Sequence, residues 1–376
     1  MNILIYYQNP YRTVFLESLA QSFIQKGHIV HLLTICEKGV LHQKMQSLGV
    51  ITVFFQVNGN RVSQIFGQAR FLVKYCRRHK IDIVYSHLQF ANLIADIARP
   101  FIKAPVFPCR HHVDEVRMVA NKNALVIDRL VNRLSSRIIV VSNAVKKYMT
   151  EKEGVKAGKI TVIPLGYNFD LYDKPDPVEV VNIREKTPCH LLLILIARMT
   201  FHKRHILALE ALNKLVKDGL DVKLLVLDHG AEEKNLRAFV HDNQLQDRVI
   251  FTGFLNNTMN YLAAADLLLC PSLIEASNQV VKEAALLQKP AVVCSGIGDF
   301  DEYFRHGENG FLVSQENTTE EMYNVIKSYY NRKDDLQAIG KRMKKEVLGR
   351  FDIRNITDEY LHLKNQLKAI ANDDQD

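Results

Sequence analysis

Long apolar stretches are missing from this 376-residue chain, although 47% of its residues are hydrophobic. Its apolar stretches have the length of a β-strand, well short of the roughly 20 residues that a membrane-spanning helix needs. The first residues, MNILIYYQNP, lack the basic start and the cleavage site of a signal peptide. We therefore expect a cytoplasmic protein, with enough apolar residues to form the cores of two or three domains.

Cysteine is scarce, and glycine is missing from one informative turn. The six cysteines are scattered and form no C-x-x-C pair, which is typical of buried, reduced thiols rather than of disulfides or a metal site. The turn after the first predicted strand, residues 8–12, contains no glycine. A dinucleotide-binding fingerprint is excluded there, because that fingerprint depends on glycines.

Acidic residues are scarce in the first half of the chain. Residues 1–180 contain 24 Lys and Arg but only 13 Asp and Glu, a net charge of +11, whereas the remaining residues carry −3. This asymmetry predicts an anionic partner for the first half: a membrane surface, an acidic acceptor or nucleic acid. Five of the basic residues fall on one predicted helix, and the alternative for them is a solvated face. They are Arg70, Lys74, Arg77, Arg78 and Lys80.

Short apolar stretches alternate with amphipathic ones, which predicts parallel βαβ units in an α/β fold. The alternation stops at residues 171–188, a polar segment with three prolines, and then starts again. We predict doubly wound domains at residues 1–170 and 189–350, joined by a linker at 171–188. A final helix within 351–376 is expected to cross back to the first domain. Ligand sites in such domains lie at the carboxyl ends of the strands.

Two acids, Glu275 and Glu283, surround the predicted start of a helix in the second domain. Ser277 and Asn278 are good N-cap residue types, so we place Glu275 in the preceding loop and Glu283 on the second helical turn. The free N–H groups at this helix start favour a phosphate, so we expect Ser277, Asn278 and Gln279 to contact the ligand. Acids on both sides of a phosphate suit a phosphorylated sugar, and two solvated glutamates are the alternative.

Two further groups follow predicted strands. Arg198 and Lys203 lie between a strand and a helix, where they can converge on one diphosphate, the arginine bidentately and the lysine as a point charge. In the first domain, His111 and His112 directly follow a strand, where catalytic groups are commonly placed. Adjacent side chains of an extended chain point apart, so at most one histidine faces a ligand. A structural histidine pair is the alternative.

In combination, these motifs resemble the GT-B retaining glycosyltransferases known as family 4. The family's R-x4-K pair matches Arg198 and Lys203, and its E-x7-E motif matches Glu275 and Glu283. The strand after Glu283 and the turn from His306 to Val313 are also similar. The resemblance covers most of the chain, most clearly after residue 160. It implies an α/β GT-B fold, with two Rossmann-like domains that face a central cleft. The first domain would bind the acceptor and the second the nucleotide sugar.

The resemblance also implies roles for single residues. Arg198 and Lys203 would bind the diphosphate of a UDP- or GDP-linked sugar, which is a substrate, so that no cofactor is needed. Glu275 would hold the donor sugar and Glu283 the ribose, while Gly253 and Phe254 would lie beside the nucleotide base. His111, with His112 as the alternate, matches a functional histidine near the donor sugar.

The implied acceptor is a saccharide or a lipid-linked molecule, in the synthesis of cell-surface polysaccharide or glycolipid. With such an acceptor, the basic first half predicts peripheral binding to an anionic membrane surface rather than to nucleic acid. Asp299 and Asp301 spell D-x-D, a metal-binding motif of a different glycosyltransferase fold. We predict no metal here, because Arg198 and Lys203 already supply positive charge.

The chain departs from the family pattern at several glycines. The family usually has E-G-F-G where this chain has Glu275-Ala276-Ser277-Asn278, and it usually has a glycine at the position of Asp228. Tight loops around a ligand often need glycine. The alternatives are therefore a non-catalytic partner subunit that binds a sugar nucleotide, and a GT-B sugar-nucleotide epimerase or phosphorylase.

Overall fold

The computed structural model describes residues 1–113, 122–255 and 257–373. The chain divides into two compact units, one formed by residues 1–172 and 351–376 and the other by residues 173–350. Each unit is a parallel sheet flanked by helices, as the alternating sequence pattern predicts. No helix in the described ranges is long and apolar enough to cross a membrane. All six cysteines are free thiols, and four of them are buried.

The first unit contains a seven-stranded sheet with the order β3-β2-β1-β4-β5-β6-β7. Its strands are β1 (Asn2–Tyr7), β2 (Ile29–Thr34), β3 (Ile51–Phe54), β4 (Ile83–His87), β5 (Val106–Arg110), β6 (Ile138–Val140) and β7 (Ile160–Val162). The helices between them are α1 (Val14–Gln25), α2 (Val40–Ser47), α3 (Arg61–Arg78), α4 (Gln89–Ala98), α5 (Lys122–Leu134) and α6 (Asn143–Glu151). The central strands are apolar and buried, as helices on both faces of a parallel sheet require.

The second unit contains a six-stranded sheet with the order β10-β9-β8-β11-β12-β13. Its strands are β8 (Leu191–Ile196), β9 (Val222–Leu227), β10 (Val249–Gly253), β11 (Leu267–Cys270), β12 (Ala291–Cys294) and β13 (Phe311–Val313). Its helices are α7 (Pro177–Lys186), α8 (His205–Lys217), α9 (Glu233–Asp242), α10 (Met259–Ala264), α11 (Gln279–Leu286), α12 (Thr318–Tyr329) and α13 (Lys333–Phe351).

Both sheets reverse their winding next to their first strand. In the first unit the reversal lies between β1 and β4, and in the second unit it lies between β8 and β11. Loops that leave two such neighbouring strands go to opposite sides of the sheet, and the crevice left between them is the usual ligand site of doubly wound folds. The loops after β8 and β11 contain Arg198, Lys203 and Glu275.

The last helix, α14 (Ile353–Asp373), belongs to the first unit. The Thr357 hydroxyl donates a hydrogen bond of 2.7 Å to the Ser22 hydroxyl on α1, and Tyr85 donates to the carbonyl of Tyr360. Gly166 makes this packing possible. A Cβ at Gly166 would lie 2.7 Å from Cδ1 and 3.1 Å from Cα of Ile353, so a larger residue would displace the start of the helix.

Two predictions about local structure are wrong. The predicted linker at 171–188 contains a helix, α7, because Asp176 caps the backbone N–H of Val178 and proline is well tolerated at the first helical position. Lys80 does not share the basic helix: α3 ends at Arg78, and Lys80 follows with a positive φ of 46°.

Candidate active site

The centre of the candidate site is an ion pair between Lys203 and Glu275. The Lys203 Nζ lies 2.6 Å from Glu275 Oε1, and both side chains are largely buried, with 17% and 8% exposed. The backbone also joins the two loops, since the N–H of Leu273 donates to the carbonyl of His202 at 2.8 Å. The structure therefore places the predicted diphosphate-binding lysine against the predicted sugar-binding acid, where β8 and β11 end.

Asn278 fixes the loop that carries Glu275. Its side-chain oxygen caps α11 by accepting from the N–H of Val281 at 3.1 Å, and its side-chain nitrogen donates to Glu275 Oε1 at 2.8 Å. The helix begins at Gln279, so Glu275 lies in the preceding loop and Glu283 on the second turn, as predicted. One oxygen of Glu275 thus accepts from both Lys203 and Asn278, which orients the carboxylate.

Glu283 lies in a different environment. It is half-buried, and its only hydrogen bond within the described residues comes from Gln279, at 2.8 Å. Burial raises the pKa of Glu283 to about 7, although the hydrogen bond from Gln279 opposes this shift. A carboxyl group with this pKa changes its protonation state near neutral pH.

Arg198 and Arg204 differ although both belong to the loop after β8. Arg198 is exposed, and its guanidinium has no hydrogen bond or ion pair to the described part of the chain. Arg204 has a positive φ of 49°, and its guanidinium donates 2.6 Å to the carbonyl of Pro271 and contacts Cys294 Sγ at 3.1 Å. Arg204 stabilises the loops around the site, whereas Arg198 is accessible to an anionic ligand. No pattern in the sequence indicated this role of Arg204.

The positions at which the family's glycines are missing differ in backbone conformation. Neither Ala276 nor Asn278 has a positive φ, and Asn278 has a φ of −82°, so the loop after Glu275 closes without glycine. Asp228 does have a positive φ, of 90°, where the family usually has glycine. The neighbouring Gly230 packs tightly: a Cβ there would lie 2.3 Å from the carbonyl oxygen of Met199.

The predicted base-binding turn lies at the end of β10. Gly253 has a φ of 71°, and its carbonyl accepts from the N–H of Asp228 at 2.8 Å. Phe254 is 64% exposed and lies edge-on to the ring of His229, with ring centroids 6.3 Å apart. These two residues offer an accessible aromatic surface beside the carboxyl ends of β9 and β10. Their role in base binding stays a prediction.

Both acids of the D-x-D sequence have partners in the protein. Asp299 pairs with Lys282, with Nζ and Oδ2 2.7 Å apart, and also accepts from the Ser277 hydroxyl at 2.7 Å. Asp301 accepts from the backbone N–H of Gly296 at 2.5 Å. Ser277, predicted to contact the donor, uses its hydroxyl in this internal network. Sequence reasoning did not identify Lys282, because a single lysine on an amphipathic helix has no distinguishing pattern.

In the first unit, His111 forms a pair with His87. The His87 Nδ1 and His111 Nε2 are 2.9 Å apart, and the ring of Phe15 lies edge-on to both imidazoles. Burial lowers the pKa of His111 to about 4 and that of His87 well below its ordinary value. Both rings are therefore neutral at pH 7, and one shared proton determines which tautomer each adopts.

His112 contacts other residues than His111, as expected for neighbours in an extended chain. Its Nε2 lies 2.9 Å from Asp128 Oδ2 on α5. The preceding Arg110 forms a bidentate pair with Glu153, at 2.6 and 2.8 Å, and also donates to the carbonyl of His112. His112 is thus part of an ionic cluster that connects the end of β5 to the helices.

Comparison with known proteins assigns the family. The model of the glycosyl transferases group 1 matches residues 182–346, and that of glycosyltransferase family 4 matches residues 13–171. Together they span both units and include the Arg198, Lys203, Glu275 and Glu283 motifs. The chain therefore belongs to the group 1 glycosyltransferases, and it has the GT-B fold.

Individual relatives are distant but cover three quarters of the chain or more. N-acetyl-alpha-D-glucosaminyl L-malate synthase from Bacillus anthracis is 24% identical over 91% of this chain and 90% of its own length. An Escherichia coli UDP-Gal:alpha-D-GlcNAc-diphosphoundecaprenol alpha-1,3-galactosyltransferase is 22% identical over 77% and 76%. The structure of Anabaena HepE in complex with UDP-glucose is similar with a TM-score of 0.81, at 21% identity over 97% of this chain and 100% of that protein.

Proposed function

We propose that this protein transfers a sugar from a UDP-linked donor to a saccharide or lipid-linked acceptor, with retention of the anomeric configuration. The observation that carries the proposal is the Lys203–Glu275 pair at the switch point of the second sheet. A donor has its diphosphate directly attached to its sugar, so a cation and an acid in contact match the two adjoining parts of one ligand. Complexes of Anabaena HepE with UDP and with UDP-glucose favour uridine as the base.

In the proposed reaction, the bond between the sugar C1 and the diphosphate oxygen breaks while a bond to the acceptor oxygen forms on the same face. The acceptor proton passes to the departing diphosphate. Arg198 and Lys203 stabilise the charge that grows on this leaving group. Glu275 orients the sugar, Glu283 accepts from the ribose, and Phe254 contacts the base. His111 is the proposed catalytic histidine of the first unit, and its neutral ring can form a hydrogen bond without adding charge.

The reaction should not require a divalent cation. Two cationic side chains supply the positive charge at the diphosphate, while Asp299 is already paired with Lys282 and Asp301 with a backbone N–H. EDTA should therefore leave transfer largely unchanged. Loss of activity that only Mn²⁺ or Mg²⁺ restores would instead assign Asp299 and Asp301 as metal ligands.

The first unit, which is the proposed acceptor-binding unit, should dock on an anionic membrane. Arg70, Lys74, Arg77 and Arg78 are all exposed on α3. Asn2 at the start of β1 donates to the carbonyls of His79 and Lys80, so the end of α3 lies at the amino edge of the sheet, opposite His111. These charges are therefore remote from the strand ends where an acidic soluble acceptor would bind.

Exposed apolar residues in the same unit favour the same partner. Val126, Leu130 and Leu134 follow one another at four-residue intervals along α5, and 52%, 41% and 37% of their surfaces are exposed. Phe101 is 63% exposed, and its carbonyl accepts from Arg77. Basic and apolar side chains exposed together suit an anionic lipid surface, which attracts the charges and accepts the apolar groups.

One experiment tests the proposed function and its alternatives. Purified protein is incubated with UDP-, GDP- and ADP-sugars, each with and without saccharide and diphosphoundecaprenol-linked acceptors. We expect a glycosylated acceptor with a UDP-sugar only, and the same anomeric configuration in donor and product. Donor binding without transfer to any acceptor would indicate a partner subunit, and conversion of the donor without acceptor would indicate an epimerase.

A further inference from the structure

A buried charged network lies directly behind the candidate donor site. Lys282 is fully buried although it precedes the half-buried Glu283 on α11, and its Nζ lies 2.7 Å from Asp299 Oδ2. Ser277 bridges the pair: its hydroxyl accepts from Lys282 at 2.9 Å and donates to Asp299 at 2.7 Å. Lys282 Nζ also lies 5.2 Å from the ring centroid of Tyr303.

The network connects three segments that surround Glu275. Ser277 belongs to the loop after β11, Lys282 to α11, and Asp299 to the loop after β12. The backbone of Gly298, next to Asp299, lies close to Glu275. A Cβ added at Gly298, which has a φ of +58°, would lie 3.1 Å from Glu275 Cβ and 3.3 Å from its carbonyl oxygen. The backbone next to Asp299 therefore packs closely against the residue Glu275.

Stability alone does not explain a buried ion pair at this position. A well-packed apolar pair is commonly as stable as a buried ion pair or more stable, because both charges must be removed from water. Burial lowers the pKa of Lys282, while the charges of Asp299 and Glu275 oppose that shift. Asp299 Oδ1 is buried and has no hydrogen-bond partner in the described part of the chain. What the ion pair provides in return is a fixed geometry for these two loops and the helix α11.

We propose that Lys282 and Asp299 are positioning residues that hold Glu275 in the geometry needed to bind the donor sugar. This inference rests on the proposed function, because it assigns the network to the sugar end of a nucleotide-sugar site. The diphosphate contacts of Arg198 do not involve the network. Loss of the network should therefore weaken recognition of the sugar and leave recognition of the nucleotide diphosphate intact.

The first experiment compares Lys282→Met, Asp299→Asn and the double variant. Each single variant removes one partner of the buried ion pair, so its Tm should fall by roughly 10 °C. The double variant removes both charges and should regain most of the lost Tm. Its affinity for UDP-glucose should nevertheless stay roughly 10-fold below that of the wild type, with UDP affinity within about 2-fold, because Glu275 is no longer held.

The second experiment moves Glu275 without touching the ion pair. Gly298→Ala forces a Cβ against Glu275, whereas Gly219→Ala introduces an alanine at a similar φ of +78° with no atom within 4 Å. The backbone strain is matched, so both variants should lose similar, small amounts of stability. Only Gly298→Ala should weaken UDP-glucose binding relative to UDP, and titration calorimetry with both nucleotides measures this.

The outcomes separate the inference from the proposed function. Recovery of both Tm and UDP-glucose affinity in the double variant, or equal nucleotide binding by Gly298→Ala and Gly219→Ala, would overturn the positioning role. Wild-type protein that binds neither UDP nor UDP-glucose would overturn the proposed function and this inference together. Normal wild-type binding with unaffected variants would overturn the inference alone.

Discussion

The candidate site residues at the carboxyl edges of the two sheets differ in their charge. At the second sheet, the Lys203–Glu275 pair and the exposed Arg198 provide fixed charges. At the first sheet, His87 and His111 form a buried pair whose lowered pKa values keep both rings neutral at pH 7. The net positive charge of the chain lies in its first half, yet the basic residues of α3 lie on an outer helix.

This difference indicates which role each unit has in the proposed reaction. A diphosphate needs fixed positive charge at its binding site, whereas a sugar or acceptor hydroxyl needs neutral hydrogen-bond partners. In the proposal, the charge on α3 attracts an anionic surface and takes no part in the chemistry. If this division is correct, charge removal in the second unit should abolish transfer, and charge reversal on α3 should affect membrane binding only.

The largest effect is expected from Lys203→Ala. This variant loses a cation beside the leaving group and leaves Glu275 without its ion-pair partner. We expect transfer to fall roughly 100- to 1,000-fold, the usual effect of removing a group that stabilises charge in the transition state. Steady-state assays measure the loss, with the donor and acceptor that the panel of UDP-, GDP- and ADP-sugars identifies.

The control for Lys203→Ala is Lys214→Ala, since Lys214 is an exposed lysine on α8 paired with Glu320. Its activity should remain near that of the wild type, because surface ion pairs contribute little. Full transfer by Lys203→Ala would show that the R-x4-K motif has another role in this chain.

Charge reversal on α3 tests the other half of the comparison. Arg77→Glu with Arg78→Glu should reduce binding to anionic liposomes at least 10-fold, since each basic residue near such a surface contributes about 1 kcal/mol. Sedimentation with anionic and neutral vesicles at low and high salt measures binding, and transfer to a soluble acceptor should be unchanged.

The matched control reverses two consecutive exposed residues of the second unit, Lys341→Glu with Arg342→Glu. If this control loses as much liposome binding as the α3 variant, net charge rather than a specific face explains the attraction. If wild-type protein fails to bind anionic vesicles even at low salt, the membrane proposal is wrong.

Glu283 should make donor binding depend on pH. Its pKa is raised from 4.5 to about 7, and ribose hydroxyls donate preferentially to the ionised carboxylate. Donor affinity should therefore fall several-fold as the pH decreases from 8 to 6. Glu283→Gln should bind more weakly at pH 8 and lose this dependence, which calorimetry at both pH values can measure.

The same pKa predicts a change in stability. An acid whose folded-state pKa exceeds its unfolded value favours folding below pH 4.5, and that contribution is lost as the pH rises through about 7. Glu283→Gln should thus raise the Tm at pH 8 by a few degrees and change it little at pH 4.5. An equal shift at both pH values would contradict the assignment.

The smallest effect is expected at Asp228. A left-handed residue costs roughly 1–2 kcal/mol, and glycine costs roughly 0.5–1 kcal/mol in unfolded-state entropy. Asp228→Gly should therefore stabilise the protein by about 0.5–1 kcal/mol in urea unfolding. Gln288→Gly, at a φ of 56°, is the matched control outside the site. Destabilisation by Asp228→Gly alone would mean that its hydrogen bond to His229 matters more than the strain.

The sequence predicted the strands, most of the helices and the start of α11 because apolar periodicity and N-cap residues are local signals. It did not predict the helix α7, since three prolines in a polar segment indicate a linker more often than a helix. Nor did it predict β3, a short edge strand with partly exposed residues.

The contacts within the candidate site could not be predicted from the sequence, because they depend on the tertiary structure. Lys203 and Glu275 were both identified, but their pairing joins residues 72 positions apart and follows only from the strand order of the second sheet. His111 was identified, whereas its contact with His87 requires β4 and β5 to be neighbours. Arg204 and Lys282 had no local signal at all, because their roles arise from what surrounds them.

The most direct test of the central claim compares the binding of UDP and uridine by titration calorimetry. If Arg198 and Lys203 hold a diphosphate, the wild type should bind UDP at least ~100-fold more tightly than uridine, since charge-assisted hydrogen bonds contribute ~1.5–3 kcal/mol each. Arg198→Ala should reduce this ratio about 10-fold or more, while Arg248→Ala, which removes an arginine paired with Asp221, should not. Equal affinity of the wild type for UDP and uridine, or an unchanged ratio in Arg198→Ala, would contradict the account.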